Sequence, residues 1–178
     1  RELGFVVRIK SNGDAFRGRL AERIRKEVDP FMVEVSLHGA TAETHERQTR
    51  VPGSFDRLLS SLEEMKALGF RVRINSTLTR WNQDELDAMF ELTDRLGLPL
   101  YVDSEVTQRD DGRQDVLDIS PSREALTRLF RRVRERAERA GPADPSVEAG
   151  RLADEGTGSP GGEKHCGAGN STLTVDPY

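Results

Sequence analysis

Hydrophobic and polar positions alternate between a period of two and a period near 3.6 along the first 140 residues. Phe5-Val6-Val7-Arg8-Ile9-Lys10 reads as a strand closed by the turn Ser11-Asn12-Gly13. Asp14 stands where it could cap a helix whose apolar stripe is Phe16, Leu20, Ile24 and Val28, ended by Asp29-Pro30. Met32 to Leu37 is a second strand, stopped at His38-Gly39. Ser54 is placed to cap a helix with Phe55, Leu58, Leu59, Leu62 and Met65 on one face. Phe70 to Leu78 is a third strand. Asn82 with Glu85 three residues later has the form of a capping box, and Trp81 with Leu86 that of a hydrophobic staple. The helix they open buries Leu86, Met89, Phe90 and Leu96. Leu98 to Val102 is a fourth strand. Ser120-Pro121 starts a last helix carrying Leu126, Leu129, Phe130, Val133 and Ala137, with arginines on its other side.

Strands alternating with helices through short junctions predict βαβ units and a parallel sheet. The helices lie in one outer layer if the sheet curls, or on both faces if it stays flat. In either case the carboxyl ends of the strands share one rim, where ligands bind. That rim comprises Ser11-Asn12-Gly13, Ser36 to Gly39, Asn75 to Arg80, and Asp103-Ser104-Glu105.

Leu3-Gly4-Phe5, Leu68-Gly69-Phe70 and Leu96-Gly97-Leu98 repeat one helix-to-strand junction. Glycine suits the left-handed position that ends a helix. By that analogy Arg1-Glu2-Leu3 is the last turn of a helix, and the chain is expected to be an internal piece of a longer protein. The plainer alternative is a start at a natural loop. Residues 141–164 are rich in Gly, Pro, Ser, Asp and Glu and are expected to form a flexible linker. Residues 165–178, with His165-Cys166-Gly167-Ala168-Gly169 and the strand-like Ser171 to Val175, look like the opening of a second small domain.

Charge and cysteine content narrow the function classes. Lys and Arg number 27 against 31 Asp and Glu, a net charge of -4, which argues against wholesale nucleic-acid binding. The single cysteine excludes an intramolecular disulfide and any multi-thiolate site built from this chain alone. No apolar run reaches the roughly 20 residues that span a bilayer, so a cytoplasmic setting without a membrane partner is the expectation.

Val33-Glu34-Val35-Ser36-Leu37-His38-Gly39, followed by Thr44-His45-Glu46, Arg50 and Pro52-Gly53-Ser54-Phe55, resembles the middle of radical S-adenosylmethionine enzymes, within them the branch with a SPASM-type C-terminal extension. Ile9 to Gly13 matches that family's strand ending in a Ser-Asn-Gly turn, and Asn82 with Glu85-Leu86 its polar entry to the next helix. The Cys166 segment followed by Val175-Asp176-Pro177 is similar to the first cysteine segment of the extension. The resemblance implies an α/β fold, a partial (β/α)6 barrel with parallel strands and outer helices over residues 1–140, followed by the linker and a truncated cluster-binding domain. It implies a 4Fe-4S cluster and S-adenosylmethionine as cofactors, an external electron donor, and a substrate hydrogen abstracted in peptide or cofactor maturation. The family's Cys-x3-Cys-x2-Cys loop is absent from the 178 residues. The chain by itself is therefore expected to be inactive, and a degenerate homologue is the alternative account of the gap.

The resemblance also implies cofactor-binding roles for Ser36, Asn12, Arg50 and Asn75, and a cluster thiolate role for Cys166. Each has a plainer counterpart. Ser36 could serve its own backbone, Asn12 could be only a turn residue, and Arg50 could sit in an ion pair. Asn75, Thr77 and Thr79 could merely line a wet lumen, and Cys166 could be a buried apolar side chain. His38 is adjacent to the rim as a possible acid or base, but reads better as a loop histidine, and His45 reads as structural. Asp103 and Glu105 read as solvated carboxylates. Two other functions compete: a non-catalytic α/β ligand- or peptide-binding module, and a (β/α)8 enzyme working through Asp103 and Glu105.

Overall fold

A computed structural model describes residues 6–107 and 114–140. Residues 141–164, expected to be a linker, and residues 165–178, with His165 and Cys166, lie outside the described residues. Four strands, β1 (Arg8–Ser11), β2 (Met32–Ser36), β3 (Val72–Thr77) and β4 (Leu100–Asp103), form one sheet in the order β1-β2-β3-β4. Every pairing is parallel. Five α-helices join or follow them: α1 (Gly18–Arg23), α2 (Ala42–Thr49), α3 (Ser54–Ala67), α4 (Leu86–Leu96) and α5 (Arg123–Ala140). Because sheet order follows chain order, each crossover steps the same way. Right-handed crossovers then lay the connecting helices on one face.

Burial follows that division. Val33, Val35, Val72, Ile74 and Leu100 point from the sheet toward the helices, and all are buried. Leu58, Leu62 and Met65 of α3 and Leu86, Met89 and Phe90 of α4 close over them. Phe16 meets the edge of Phe70, ring centroids 5.3 Å apart at 83°. On the other face alternation places polar side chains in rows set by the register. Lys10, Glu34 and Arg73 share one row, Ser36, Asn75 and Tyr101 the next, and Thr77 and Asp103 the third.

Several local expectations give way to tertiary partners. β1 covers Arg8–Ser11 rather than Phe5 to Lys10, and Val6 is exposed. Asp14 caps nothing: its carboxylate accepts from Arg57 Nε at 2.5 Å, and the first helix begins at Gly18 after an extended Arg17. The stripe expected of that helix is only partly buried. It continues as a π-helical turn, Ile24–Val28, which rotates the later residues, and Leu20 and Val28 are exposed. Gly53, not Ser54, is the N-cap of α3, and Ser54 shares a 2.8 Å hydroxyl contact with Thr49. Helix α2 was not expected, because Ala-Glu-Thr-His-Glu-Arg-Gln-Thr carries no apolar repeat. Its cap is Thr41, whose hydroxyl accepts from the Thr44 amide.

The arginines of α5, which the sequence alone would leave on a solvated face, find partners on α4 and its entry. Arg136 grips Asp94 with two bonds of 2.6 and 2.7 Å, Arg128 donates to the Gln83 carbonyl at 2.6 Å, and Arg132 stands 3.7 Å from Asp87. The guanidinium groups of Arg132 and Arg136 also lie over Phe90. These three arginines, four residues apart, form the stripe by which α5 lies on α4. The Asp94 carboxyl is held below its ordinary range chiefly by the Arg136 bonds. Phe130 lies off this stripe and is 60% exposed.

Gly13 has φ +78, and a Cβ there would stand 2.6 Å from Leu58 Cδ1 and 2.8 Å from Val35 Cγ1. Left-handed strain and overpacking together should make Gly13→Ala lose roughly 2 to 4 kcal/mol in urea unfolding. A loss below about 0.5 kcal/mol would show that the turn is not held against the core as described.

Candidate functional site

The carboxyl ends of β2 and β3 are fastened together by one side chain. Asn82 is fully buried, at 0% exposure. Its Nδ2 donates to the His38 carbonyl at 3.1 Å and to the Thr77 carbonyl at 3.0 Å. Its Oδ1 accepts from the Thr79 amide at 2.8 Å and faces the Thr79 hydroxyl at 3.4 Å. This replaces the expected capping box, and no side-chain cap bond forms there. Glu85, the other half of that motif, turns instead to the start of α2 and the residues just before it, more than 40 residues back. It accepts from the Ala40 amide at 2.6 Å, the Thr41 amide at 3.2 Å, the Thr41 hydroxyl at 2.8 Å and the Thr44 hydroxyl at 2.6 Å. Burial pushes its carboxyl up, but the bonds from Thr44, Thr41 and Ala40 outweigh that and hold it below the usual carboxylate range.

Between these two anchors runs the β2 exit. Gly39 is buried, and a Cβ on it would come within 2.6 Å of Thr44 and 2.9 Å of the His45 amide nitrogen. The close approach brings His45 beneath His38: the His38 amide donates to His45 Nδ1 at 3.2 Å, and the rings lie 5.4 Å apart. An accepting Nδ1 puts the His45 proton on Nε2. Burial, then the neighbouring His38, push His45 down to about 4, and Glu46 opposes them weakly. Burial also lowers His38, whose Nδ1 is enclosed without a hydrogen-bond partner among the described residues. His45 is the structural residue the sequence suggested. His38 is a neutral imidazole at the rim.

On the polar face, Ser36 and Asn75 are register partners, and Tyr101 completes their row. Glu34, directly below, is 3% exposed and had not been singled out in the sequence. Arg73 donates to its Oε1 at 2.6 Å, Asn75 Nδ2 to its Oε2 at 3.1 Å, and Arg8 and Lys10 stand 3.7 and 3.9 Å away. Asn75 Oδ1 and Arg73 Nε are buried and unpartnered among the described residues. An acceptor in that state costs about 1 to 3 kcal/mol, which a ligand's donor would recover.

The remaining candidates are distributed more widely. Asn12 is exposed, and its Oδ1 accepts from the Asp14 amide at 3.2 Å, the local bond of a turn residue. Arg50 is the left-handed C-cap of α2, with φ 57, and is exposed. Thr77 lies in the row with Asp103, whereas Thr79 is drawn into the Asn82 network. Asp103 is exposed and accepts from the Glu105 amide at 3.0 Å. The structure thus brings Ser36 and Asn75 together and leaves Asn12 and Arg50 in separate local roles. Polar alternation along β2 was the one signal for Glu34. Among the described residues no group of three or more His, Cys, Asp or Glu side chains is placed to hold a metal ion, and no helix is long and apolar enough to cross a membrane.

No family model matches the chain. Curated relatives do. The mycofactocin maturase MftC of Mycolicibacterium smegmatis is 30% identical over 177 residues, which is 96% of this chain and 43% of the relative. An AdoMet-dependent heme synthase of Methanosarcina barkeri is 32% identical over 100 residues, 56% of this chain and 28% of the relative. The chain therefore spans less than half the length of either. Among solved structures, anSMEcpe with bound AdoMet and the Cp18Cys peptide matches 73% of this chain and 37% of its own at TM-score 0.56 and 15% identity. Streptococcus suis SuiB bound to S-adenosylmethionine matches 76% of this chain and 32% of its own, at TM-score 0.54 and 15% identity. At that identity the likeness is one of fold.

Two outcomes follow from the rim. Removing the Asn82 amide strands three backbone groups, so Asn82→Ala should lower stability by roughly 2 to 4 kcal/mol in chemical denaturation. A near-neutral result would disprove its bridging role. His45 takes up a proton less readily folded than unfolded. Its contribution is complete above about pH 6.5 and is lost as pH falls toward its folded value of about 4. The loss is on the order of 2 kcal/mol. His45→Gln should flatten the stability curve in that window, and an unchanged acid slope would count against a buried neutral His45.

Proposed function

We infer that this chain, whose homologues are radical S-adenosylmethionine enzymes, forms a cofactor-facing arc of an enzyme of that kind acting in peptide or heme-type cofactor maturation. The observation that carries the reading is the Ser36–Asn75 pair at the carboxyl rim of a parallel sheet, with the buried, unpartnered Asn75 Oδ1 beside it. Rims of parallel sheets are where α/β folds take their ligands. A hydroxyl that donates and accepts, next to an amide oxygen lacking a donor, suits the hydroxyls and amine of a nucleoside. Ser36, Asn75 and Tyr101 are the residues that would hold S-adenosylmethionine on this chain, and His38 borders them as a neutral imidazole.

The chemistry that S-adenosylmethionine supplies in such enzymes, by reductive cleavage at a 4Fe-4S cluster, is hydrogen abstraction by a 5′-deoxyadenosyl radical. The cluster finds no ligand set in this chain. Its 178 residues contain one cysteine, whereas such clusters are held by several thiolates. Under this reading the thiolates come from outside the chain, and so does the electron. The chain alone binds a nucleoside without turnover. A peptide is the favoured substrate class: two relatives aligned over 96% of the chain are maturases, and the structural neighbour anSMEcpe is solved with a bound peptide.

The test is a calorimetric titration of the chain with S-adenosylhomocysteine, which reports binding without chemistry. Ser36→Ala and Asn75→Ala should each weaken binding by about three- to tenfold while the thermal midpoint stays near that of the unaltered chain. Unchanged affinity in both variants would overturn the assignment of this rim.

A further inference from the structure

Asn75 could in principle present either end of its amide to a ligand. The two ends select opposite chemistry, since Oδ1 takes a donor and Nδ2 an acceptor. The structure removes the choice. Asn75 Nδ2 lies 3.1 Å from Glu34 Oε2. A flipped amide would set oxygen against carboxylate oxygen at that distance, which is repulsive. Glu34 cannot turn away either. It is 3% exposed, and its other oxygen holds Arg73 at 2.6 Å, with Arg8 and Lys10 at 3.7 and 3.9 Å. Three cations surround this one enclosed carboxylate, and its second oxygen is left facing Asn75 Nδ2. The consequence is visible one atom further on, where Asn75 Oδ1 is buried and without a partner.

We propose that Glu34 is a positioning residue that sets the specificity of the rim. By pinning Nδ2 it commits Asn75 to offering an acceptor, so the site selects a nucleoside that brings a hydrogen-bond donor to Oδ1. The proposal rests on the reading of Asn75 as a cofactor residue and adds to it the direction of the hydrogen bond and the residue that enforces it. Such a donor is either the exocyclic amine of adenine or a ribose hydroxyl. A site built around one obligatory bond rejects an analogue that lacks it more strongly than a site free to rotate its amide.

Three ligands separate the possibilities: S-adenosylhomocysteine, S-inosylhomocysteine, in which an oxo group replaces the amine, and the 2′-deoxy analogue of S-adenosylhomocysteine. The unaltered chain should bind the first about tenfold or more tighter than the one analogue lacking the donor that faces Asn75. In Glu34→Gln, where the facing group can itself donate, that preference should fall to about threefold or less. The ratio against the other analogue should not change. Glu34→Asp, which withdraws the acceptor but keeps the charge, should loosen the preference in the same sense and serves if the amide variant does not fold. By NMR, one Asn75 side-chain N–H of the unaltered chain should exchange slowly with solvent. Full retention of the preference in the folded variants, no discrimination by the unaltered chain, or fast exchange of both N–H protons would each overturn the proposal. If Asn75→Ala binds S-adenosylhomocysteine as tightly as the unaltered chain, the reading of Asn75 as a cofactor residue fails as well. If that variant binds weakly while Glu34→Gln keeps the preference, only the role of Glu34 fails.

Discussion

One amide nitrogen, Asn82 Nδ2, holds the carbonyls of His38 and Thr77, and through them the exits of β2 and β3. Neither carbonyl lies inside the ladder, so without Asn82 both would need another donor. Ser36 and Asn75 are the last register pair before those exits. Their separation is fixed below by the ladder and above by this side chain. Glu85 extends the same principle to the following loop, drawing Ala40, Thr41 and Thr44 onto one carboxylate. Asn82 and Glu85, each holding several partners at once, fix the rim, although His38 Nδ1 and Asn75 Oδ1 beside them have no partner among the described residues.

The sheet carries two kinds of energetics on its two faces. Toward the helices it is stabilised by close-packed apolar side chains, and toward the open side by charge. A carboxylate as enclosed as Glu34 is tolerable only when paired, and its row supplies cations on both neighbouring strands. The polar row above can then be held in fixed orientation without an apolar floor beneath it. A parallel sheet with helices over one face and polar rows on the other fits the partial-barrel fold of its radical S-adenosylmethionine neighbours.

Much of this was legible in the sequence. Strands β2 and β3 carry strong apolar patterns, the glycine junctions mark helix ends at Gly69 and Gly97, and alternation puts Ser36 and Asn75 on one side. What was not legible shares one cause. Asp14, Asn82 and Glu85 each stand where a local cap would place them, yet each is taken by a partner elsewhere in the fold: Arg57, the strand exits and the entry to α2 from Ala40 to Thr44. Local caps are weak enough to lose to charged or fully buried alternatives. Helix α2 has no apolar repeat to announce it, and the Arg128, Arg132, Arg136 stripe reads as solvent-facing until Asp94 and Phe90 are placed beneath it.

Among the described residues strand β1 pairs with β2 along one side only, which makes its other side a sheet edge there. Edges of that sort invite indiscriminate strand addition. Here Arg8 and Lys10, 54% and 82% exposed, stand sentinel on it and already incline toward Glu34. A newcomer aligned with β1 would meet two positive side chains. It would be admitted on good terms only if it carried carboxylates on the matching side, so the electrostatics of a single strand double as a filter on its neighbours.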